Sequence, residues 1–156
     1  MKITSIFAAG LIGLCGMASF ASAEEAHPMF TPGDIKWGAA PKVLPAGAEA
    51  AVLFGDPTKK GLFALRLKLP SGYVIPPHTH PGFEVVTVIS GAINLGMGET
   101  VDRSAAKPLP AGSFFALPPG TAHFSYFDEP SIIQITTNGP WRIRYLNPAD
   151  DPQKSQ

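Results

Sequence analysis

Residues 72–84 read GYVIPPHTHPGFE, and residues 112–123 read GSFFALPPGTAH. The first stretch places His78 and His80 two positions apart, directly after a pair of prolines. Prolines favour an extended backbone in the residues around them. In an extended chain, side chains at positions i and i+2 project from the same face. The first stretch therefore predicts a strand whose end directs two imidazoles to one side.

A carboxylate and a third imidazole extend this pair to a full ligand set. Glu84 follows the bend expected at Pro81-Gly82, and His123 follows the tight turn expected at Pro119-Gly120 on a separate strand. Imidazole and carboxylate groups together suit Mn, Fe, Zn, Ni or Cu. The sequence thus predicts one divalent transition metal held by four residues: His78, His80, Glu84 and His123.

Short β-prone runs recur between turn residues along the chain. Gly and Pro together make up 33 of the 156 residues, and between them lie runs rich in Val, Ile, Phe and Thr. These runs are residues 62–69, 84–89, 113–117, 132–137 and 141–146. In the first run, leucine occupies alternate positions from 65 to 69 with basic residues between them, as in a half-buried strand. The rhythm predicts an all-β sandwich or barrel.

Both quoted stretches resemble the two sequence motifs of the cupin superfamily. Five residues stand at the spacing of the first motif: Gly72, His78, His80, Glu84 and Gly91. Four match the second: Gly112, Pro118, Gly120 and His123. The chain resembles small single-domain secreted bacterial cupins, which implies a double-stranded β-helix, or jelly-roll, barrel. Phe127 stands where the second motif usually ends in Asn; in the family that Asn does not bind the metal, so the departure leaves the ligand set intact.

The first 23 residues have the pattern of a secretory signal peptide. Lys2 precedes an apolar stretch, and small residues around Ala23 form a cleavage site before Glu24. The stretch is short for a membrane span, which needs ~20 apolar residues. We expect an exported protein, periplasmic or secreted. The expected organisation is a signal peptide at 1–23, an extended arm at 24–49, the barrel at 50–146 and a polar tail at 147–156.

Cleavage would leave 133 residues, enough for one domain, and would remove Cys15, the only cysteine. It would also remove Lys2, leaving 11 basic against 12 acidic residues. A near-neutral chain argues against nucleic acid or an anionic membrane as a partner. The expected partner is a small-molecule ligand or substrate, with a homodimer by analogy to other cupins. His27, near the start of the mature chain, is expected to be solvated.

Strand parity predicts a mostly apolar pocket around the metal. Its expected residues are Val74, Pro76, Val86, Val88, Ser125 and Phe127. Because this set holds no second carboxylate, lysine or cysteine, Glu84 is the only candidate catalytic base. Four basic residues alternate with apolar ones on their own strands: Arg66, Lys68, Arg142 and Arg144. We expect them on the outer face, the alternative being that an arginine reaches the barrel mouth and binds an anionic substrate.

Two functions from different classes fit these features. The first is a metal-dependent oxidoreductase of the dioxygenase kind acting on a small organic substrate. The metal supplies the electrophile, and addition of O₂ to an enolate or catecholic substrate needs little acid–base catalysis, which suits an apolar wall. Similar mononuclear cupins also include oxalate-degrading enzymes and isomerases. The second function is non-catalytic binding or sensing of a metal or small molecule in the periplasm. A fold alone does not decide between them.

Overall fold

The computed structural model describes residues 27–154. Within this range the chain forms eleven strands and three short 3₁₀ helices. The strands are β1 (Gly38–Ala39), β2 (Glu49–Phe54), β3 (Gly61–Leu69), β4 (Val74–Thr79), β5 (Glu84–Ser90), β6 (Ala92–Met97), β7 (Lys107–Pro110), β8 (Phe114–Leu117), β9 (His123–Tyr126), β10 (Ser131–Gly139) and β11 (Arg144–Tyr145). The 3₁₀ helices are Pro32–Asp34, Arg103–Ala105 and Pro148–Asp150. The signal peptide expected at 1–23 lies outside the described residues.

The strands form two antiparallel sheets that face each other across one core. The first sheet has six strands in the order β1-β2-β3-β10-β5-β8, and the second has five in the order β11-β4-β9-β6-β7. Sequence neighbours such as β4 and β5 lie in different sheets, so the chain winds repeatedly from one sheet to the other. This architecture confirms the predicted all-β jelly-roll barrel. None of the helices in residues 27–154 is long and apolar enough to cross a membrane.

Alternation along β3 builds one wall of the core. The leucines at 65, 67 and 69 are at most 1 % exposed, and they pack with β5, β10 and the second sheet. Burial of such a side chain contributes about 1.5–3 kcal/mol. The intervening Arg66 Nε donates to Gln134 Oε1 at 3.0 Å, and Lys68 Nζ lies 3.2 Å from Glu49 Oε1. The predicted alternation is confirmed. On the outer face, Arg66 pairs with Gln134 and Lys68 pairs with Glu49.

The segment before β2 is held on the barrel by specific contacts. β1 pairs with β2, and Leu44 is 4 % exposed inside the core cluster. The hydroxyls of Tyr73 and Tyr145 donate to the backbone carbonyls of Pro45 and Val43, at 2.5 and 2.8 Å. Residues 38–48, within the arm expected at 24–49, therefore contribute a strand and a core side chain.

Candidate metal centre

Three histidines meet inside the barrel. His78 on β4 lies directly opposite His123 on β9, and His80 follows the end of β4. One nitrogen from each ring lies within 4.8 Å of the others, and all three side chains are buried. Small side-chain adjustments bring such nitrogens to the ~2.1 Å bonding distance of one shared ion. The three histidines are therefore positioned to bind a metal.

Each imidazole is oriented by a backbone carbonyl at its outer nitrogen. His78 Nδ1 lies 2.7 Å from Pro76 O, His80 Nδ1 lies 2.7 Å from Arg142 O, and His123 Nδ1 lies 3.0 Å from Thr121 O. A carbonyl only accepts, so the proton of each neutral ring is on Nδ1 and the lone pair is on Nε2. Carbonyl bonds of this kind fix the rings of metal-binding histidines.

The carboxylate of Glu84 lies beside the imidazoles. Glu84 begins β5; its Oε1 is 3.4 Å from His80 Nε2, and its Oε2 is 3.0 Å from His123 Nε2. These contacts do not have hydrogen-bond geometry for two of the buried atoms within residues 27–154, His80 Nε2 and Glu84 Oε2, although both lie close to a charged neighbour. Each unmatched buried polar group costs about 1–3 kcal/mol. A cation placed between these atoms would satisfy both, so the donor set fits a divalent metal.

The surroundings favour the metal-binding form of His78 and Glu84 and the protonated form of His123. Burial, assisted by the neighbouring His123 and His80, lowers the pKa of His78 to about 3, so this ring is neutral. Burial raises the pKa of Glu84, but the imidazoles of His123 and His80 lower it more, and the net pKa is well below its usual range. Burial also lowers the pKa of His123, yet the Glu84 carboxylate more than offsets this and raises it overall. A metal that binds here therefore competes with a proton at His123.

Two backbone features bring the separate stretches together. The glycine of the turn before β9, Gly120, has φ +77°, a conformation that side-chain-bearing residues rarely adopt. Its N–H donates to the carbonyl of His80 at 2.9 Å, which ties that turn to the end of β4. On the other side of β4, Tyr145 of β11 pairs with His78. The three histidines are therefore placed by backbone hydrogen bonds between three strands.

A small cavity of about 20 Å³ adjoins the histidines. This volume is room for about one water molecule. Apart from His78, His80, Glu84, His123 and Ser125, its lining is largely apolar and includes Leu44, Ile75, Phe115, Ile133, Trp141 and Ile143. The ring of Trp141 lies nearly parallel to that of His80, with an interplanar angle of 12° and centroids 6.0 Å apart.

The alternation of side chains counted along β4 predicted the wrong pocket residues on that strand, displaced by one position. Ile75 lines the cavity, whereas Val74 and Pro76 are half-buried and are not among its lining residues. The pairing of β4 with β9 shifts register between Ile75 and His78. A bulge of this kind inverts the inward and outward positions on its two sides. Residues an even number of positions before His78, such as Val74 and Pro76, therefore do not share its inward face.

The other expected pocket residues divide between the cavity and the core. Ser125 lines the cavity, two residues after His123. Val86, Val88 and Phe127 are at most 1 % exposed but lie in the core cluster. Phe127 packs on Tyr73, with ring centroids 6.3 Å apart, because it follows β9 at the end away from His123. Its position is inside the barrel but not beside the histidines.

Several lining residues were missing from the predicted pocket. Trp141 and Ile143 come from the segment before β11, where their alternation with two arginines was a readable signal of an inward face. Leu44 comes from the arm, and no local pattern marks it. Arg142 and Arg144 are exposed and line an outer groove with Pro81, Gly82 and Pro140 rather than the cavity. His27 is exposed and is not part of the histidine cluster.

Comparisons with known proteins agree with this fold. A germin-like protein of Arabidopsis thaliana, subfamily 3 member 3, is 42 % identical over 65 residues, which are 41 % of this chain and 31 % of that protein. The chain thus spans about a third of the length of this relative. Among solved structures, an acetylacetone dioxygenase from Acinetobacter johnsonii superposes with a TM-score of 0.61 at 15 % identity, covering 83 % of each chain.

Two further solved structures share the barrel. The polyketide cyclase RemF from Streptomyces resistomycificus gives a TM-score of 0.64 at 14 % identity, covering 85 % of this chain and 92 % of that one. An RmlC-like cupin from Shewanella frigidimarina gives 0.54 at 18 % identity, covering 72 % of this chain and 91 % of that one. These likenesses show the fold, which is cupin-like. The family model described as a domain of unknown function, DUF4437, matches residues 21–144. The chain therefore belongs to the DUF4437 family and has the cupin fold.

Proposed function

We propose that four residues bind one divalent transition metal (Mn, Fe, Zn, Ni or Cu): His78, His80, Glu84 and His123. The observation that carries this proposal is the convergence of three imidazoles whose Nδ1 atoms are all bound to carbonyls. Their Nε2 atoms then face one another and an ionised carboxylate. Without a cation, two of these buried atoms would stay unmatched.

The protein supplies a dry, oriented setting for the metal. When bound, the metal would supply a Lewis acid and a common anchoring point for small molecules. The apolar lining excludes bulk water and strengthens electrostatic interactions in the cavity. Glu84 is the only carboxylate among the lining residues and is therefore the one candidate to accept a proton from a substrate.

We infer that the metal serves oxidation of a small organic substrate by O₂, in the manner of a dioxygenase. In such a reaction both oxygen atoms enter the organic product, so no separate reductant is needed. The apolar lining with a single candidate base favours a substrate that already carries electron density, such as an enolate or a catechol. The structural likeness to an acetylacetone dioxygenase supports the choice of a 1,3-diketone as the first substrate to test.

A second candidate function is binding without turnover. The observation that favours it is the size of the cavity, about 20 Å³, which admits a water molecule but no organic substrate unless side chains move. In this case the metal itself, or a very small molecule on it, would be the ligand.

One experiment separates the two candidates. The protein is loaded with Fe²⁺, Mn²⁺ or Zn²⁺ and mixed with acetylacetone, catechol or oxalate, while O₂ uptake and the unfolding temperature are recorded together. The matched control is His123→Ala. Uptake of O₂ by the wild type alone supports the enzyme. Metal-induced stabilisation with no O₂ uptake from any substrate supports the binding function.

We also propose that the protein is exported to the periplasm or secreted, and that it forms a homodimer. The charged start, apolar stretch and cleavage site within residues 1–24 support export. Intact-mass measurement on exported protein should show a chain beginning at Glu24. A product that keeps residues 1–23, or one lipidated at Cys15, would contradict the proposed cleavage.

A further inference from the structure

Trp141 is fixed against the candidate metal centre from two sides. Its backbone N–H donates to the carbonyl of Pro57 at 2.7 Å. Its ring stacks on that of His80, and the backbone carbonyl of the next residue, Arg142, accepts from His80 Nδ1 at 2.7 Å. The position of the indole is therefore coupled to the position of one proposed metal ligand.

The indole nitrogen of Trp141 is a buried donor without an acceptor. In the described part of the chain, its Nε1 has no hydrogen-bond partner, a condition it shares with two atoms of the metal centre, His80 Nε2 and Glu84 Oε2. A metal satisfies those two atoms, but a metal cannot accept a hydrogen bond from an N–H group. The indole needs an oxygen or another acceptor, because a buried donor without one destabilises the folded chain.

Trp141 borders two spaces that could hold such an acceptor. One is the histidine cavity of about 20 Å³, and the other is a cavity of about 10 Å³ beside His80 and Thr137. A water molecule needs at least about 10–15 Å³ of this kind of space, so the smaller cavity is at or below the limit. The histidine cavity is the roomier of the two.

We propose that the indole N–H of Trp141 donates to an oxygen atom of the ligand that binds in the histidine cavity, which makes Trp141 a specificity-determining residue. It selects small ligands that carry an acceptor oxygen, such as a carboxylate, an enolate or a carbonyl, beside the group that the metal anchors. This inference rests on the proposed metal site. The ligand would then be held at two points: by the metal and by the hydrogen bond from the Trp141 indole.

Formate is a suitable probe because it carries carboxylate oxygens and, as one of the smallest carboxylates, needs the least side-chain movement to enter a cavity of about 20 Å³. Its dissociation constant is measured on Co²⁺-loaded protein from the visible absorption of the metal. The variants are Trp141→Phe, which keeps the aromatic ring but removes the N–H, and Trp37→Phe, the matched control at the other tryptophan, whose ring packs under Lys68. A hydrogen bond worth about 1 kcal/mol predicts that Trp141→Phe binds formate ~5-fold more weakly. Affinity for Co²⁺ is measured for each variant, and the formate constants are compared at full Co²⁺ occupancy, so that a change in metal binding is not counted as a change in formate binding.

A second measurement uses the wild-type chain and does not depend on a variant folding. In ¹⁵N-labelled, Zn²⁺-loaded protein, the two indole N–H signals are assigned with the Trp37→Phe variant. Formate should shift the Trp141 proton resonance downfield and leave that of Trp37 in place. Co²⁺ binding with equal formate affinity in wild type and Trp141→Phe, or an unmoved Trp141 signal, would overturn the role of Trp141 alone. Absence of Co²⁺ binding would overturn the metal site, and this inference with it.

Discussion

His78 and His123 face each other across the β4–β9 pair, with ring centroids 4.1 Å apart and ring planes tilted by 57°. Neither ring donates to the other, because each Nδ1 is bound to a carbonyl of its own strand or turn. At this distance two protonated rings would repel each other, and after burial the neighbouring His123 is the next cause of the lowered pKa of His78. The two rings are therefore placed to bind one metal ion together.

Removal of a proposed ligand should abolish tight metal binding. His123→Ala deletes one of the three converging Nε2 atoms, and we expect the affinity for Zn²⁺ to fall by more than ~100-fold, since even residues that only orient ligands change affinity by ~10–100-fold. Isothermal titration with Zn²⁺ measures this change. His27→Ala is the matched control, because His27 is exposed and apart from the cluster. An equal loss from His27→Ala would mean that the wrong histidines were assigned.

Glu84 should control the protonation of His123 in the metal-free protein. The carboxylate raises the pKa of His123, and its oxygen is 3.0 Å from the ring nitrogen. Replacement by the neutral amide in Glu84→Gln should therefore lower the pKa of His123, since burial alone lowers it. Titration of the imidazole signals by NMR, with EDTA present, follows this shift. A His123 pKa that is unchanged or higher in the variant would show that the carboxylate does not act on this ring.

The stability of the metal-free protein should depend on pH in a way set by the buried histidines. The folded-state pKa of His78 is about 3 against an ordinary value of 6.5, so between these values the unfolded chain binds the extra proton and the free energy of unfolding falls as the pH falls. The raised pKa of His123 acts in the opposite sense: its contribution is full below 6.5 and is lost as the pH rises through the folded-state value.

These two histidines together predict a stability maximum of the metal-free protein near the ordinary histidine value of 6.5. Urea denaturation in EDTA over the range from about pH 4 to pH 9 measures it. Saturating Zn²⁺ should remove the loss on the alkaline side, because metal binding favours unprotonated His123. A metal-free stability that rises steadily from neutral to alkaline pH would contradict the raised pKa of His123.

Phe127 should matter for stability and not for the metal. It is fully buried and packs on Tyr73 within the core cluster. Phe127→Asn loses apolar packing and buries an amide, so the free energy of unfolding should fall by about 3–5 kcal/mol. The affinity for Zn²⁺, measured where the variant is still folded, should be unchanged. A stable variant with altered metal affinity would place Phe127 beside the histidines after all.

The sequence predicted the parts of this molecule that depend on local patterns. Alternation identified the inward leucines of β3, and the spacing of the two histidine stretches identified the cluster that the barrel brings together. Two features of the site could not be predicted from local sequence patterns. The bulge between Ile75 and His78 changes parity through the pairing of β4 with β9, and Leu44 reaches the cavity through the packing of the arm. Such features depend on long-range register and topology, which a single strand pattern does not contain.

The most direct test of the metal site is a crystal structure of the Zn²⁺-loaded protein with anomalous data collected at the zinc edge. We predict one strong anomalous peak, with the Nε2 atoms of His78, His80 and His123 at ~2.0–2.1 Å and a Glu84 oxygen at ~2.0–2.2 Å. The Nδ1 atoms should keep their bonds to backbone carbonyls. A peak elsewhere on the protein, or a zinc ion bound through Nδ1 with Glu84 turned away, would contradict the proposed centre.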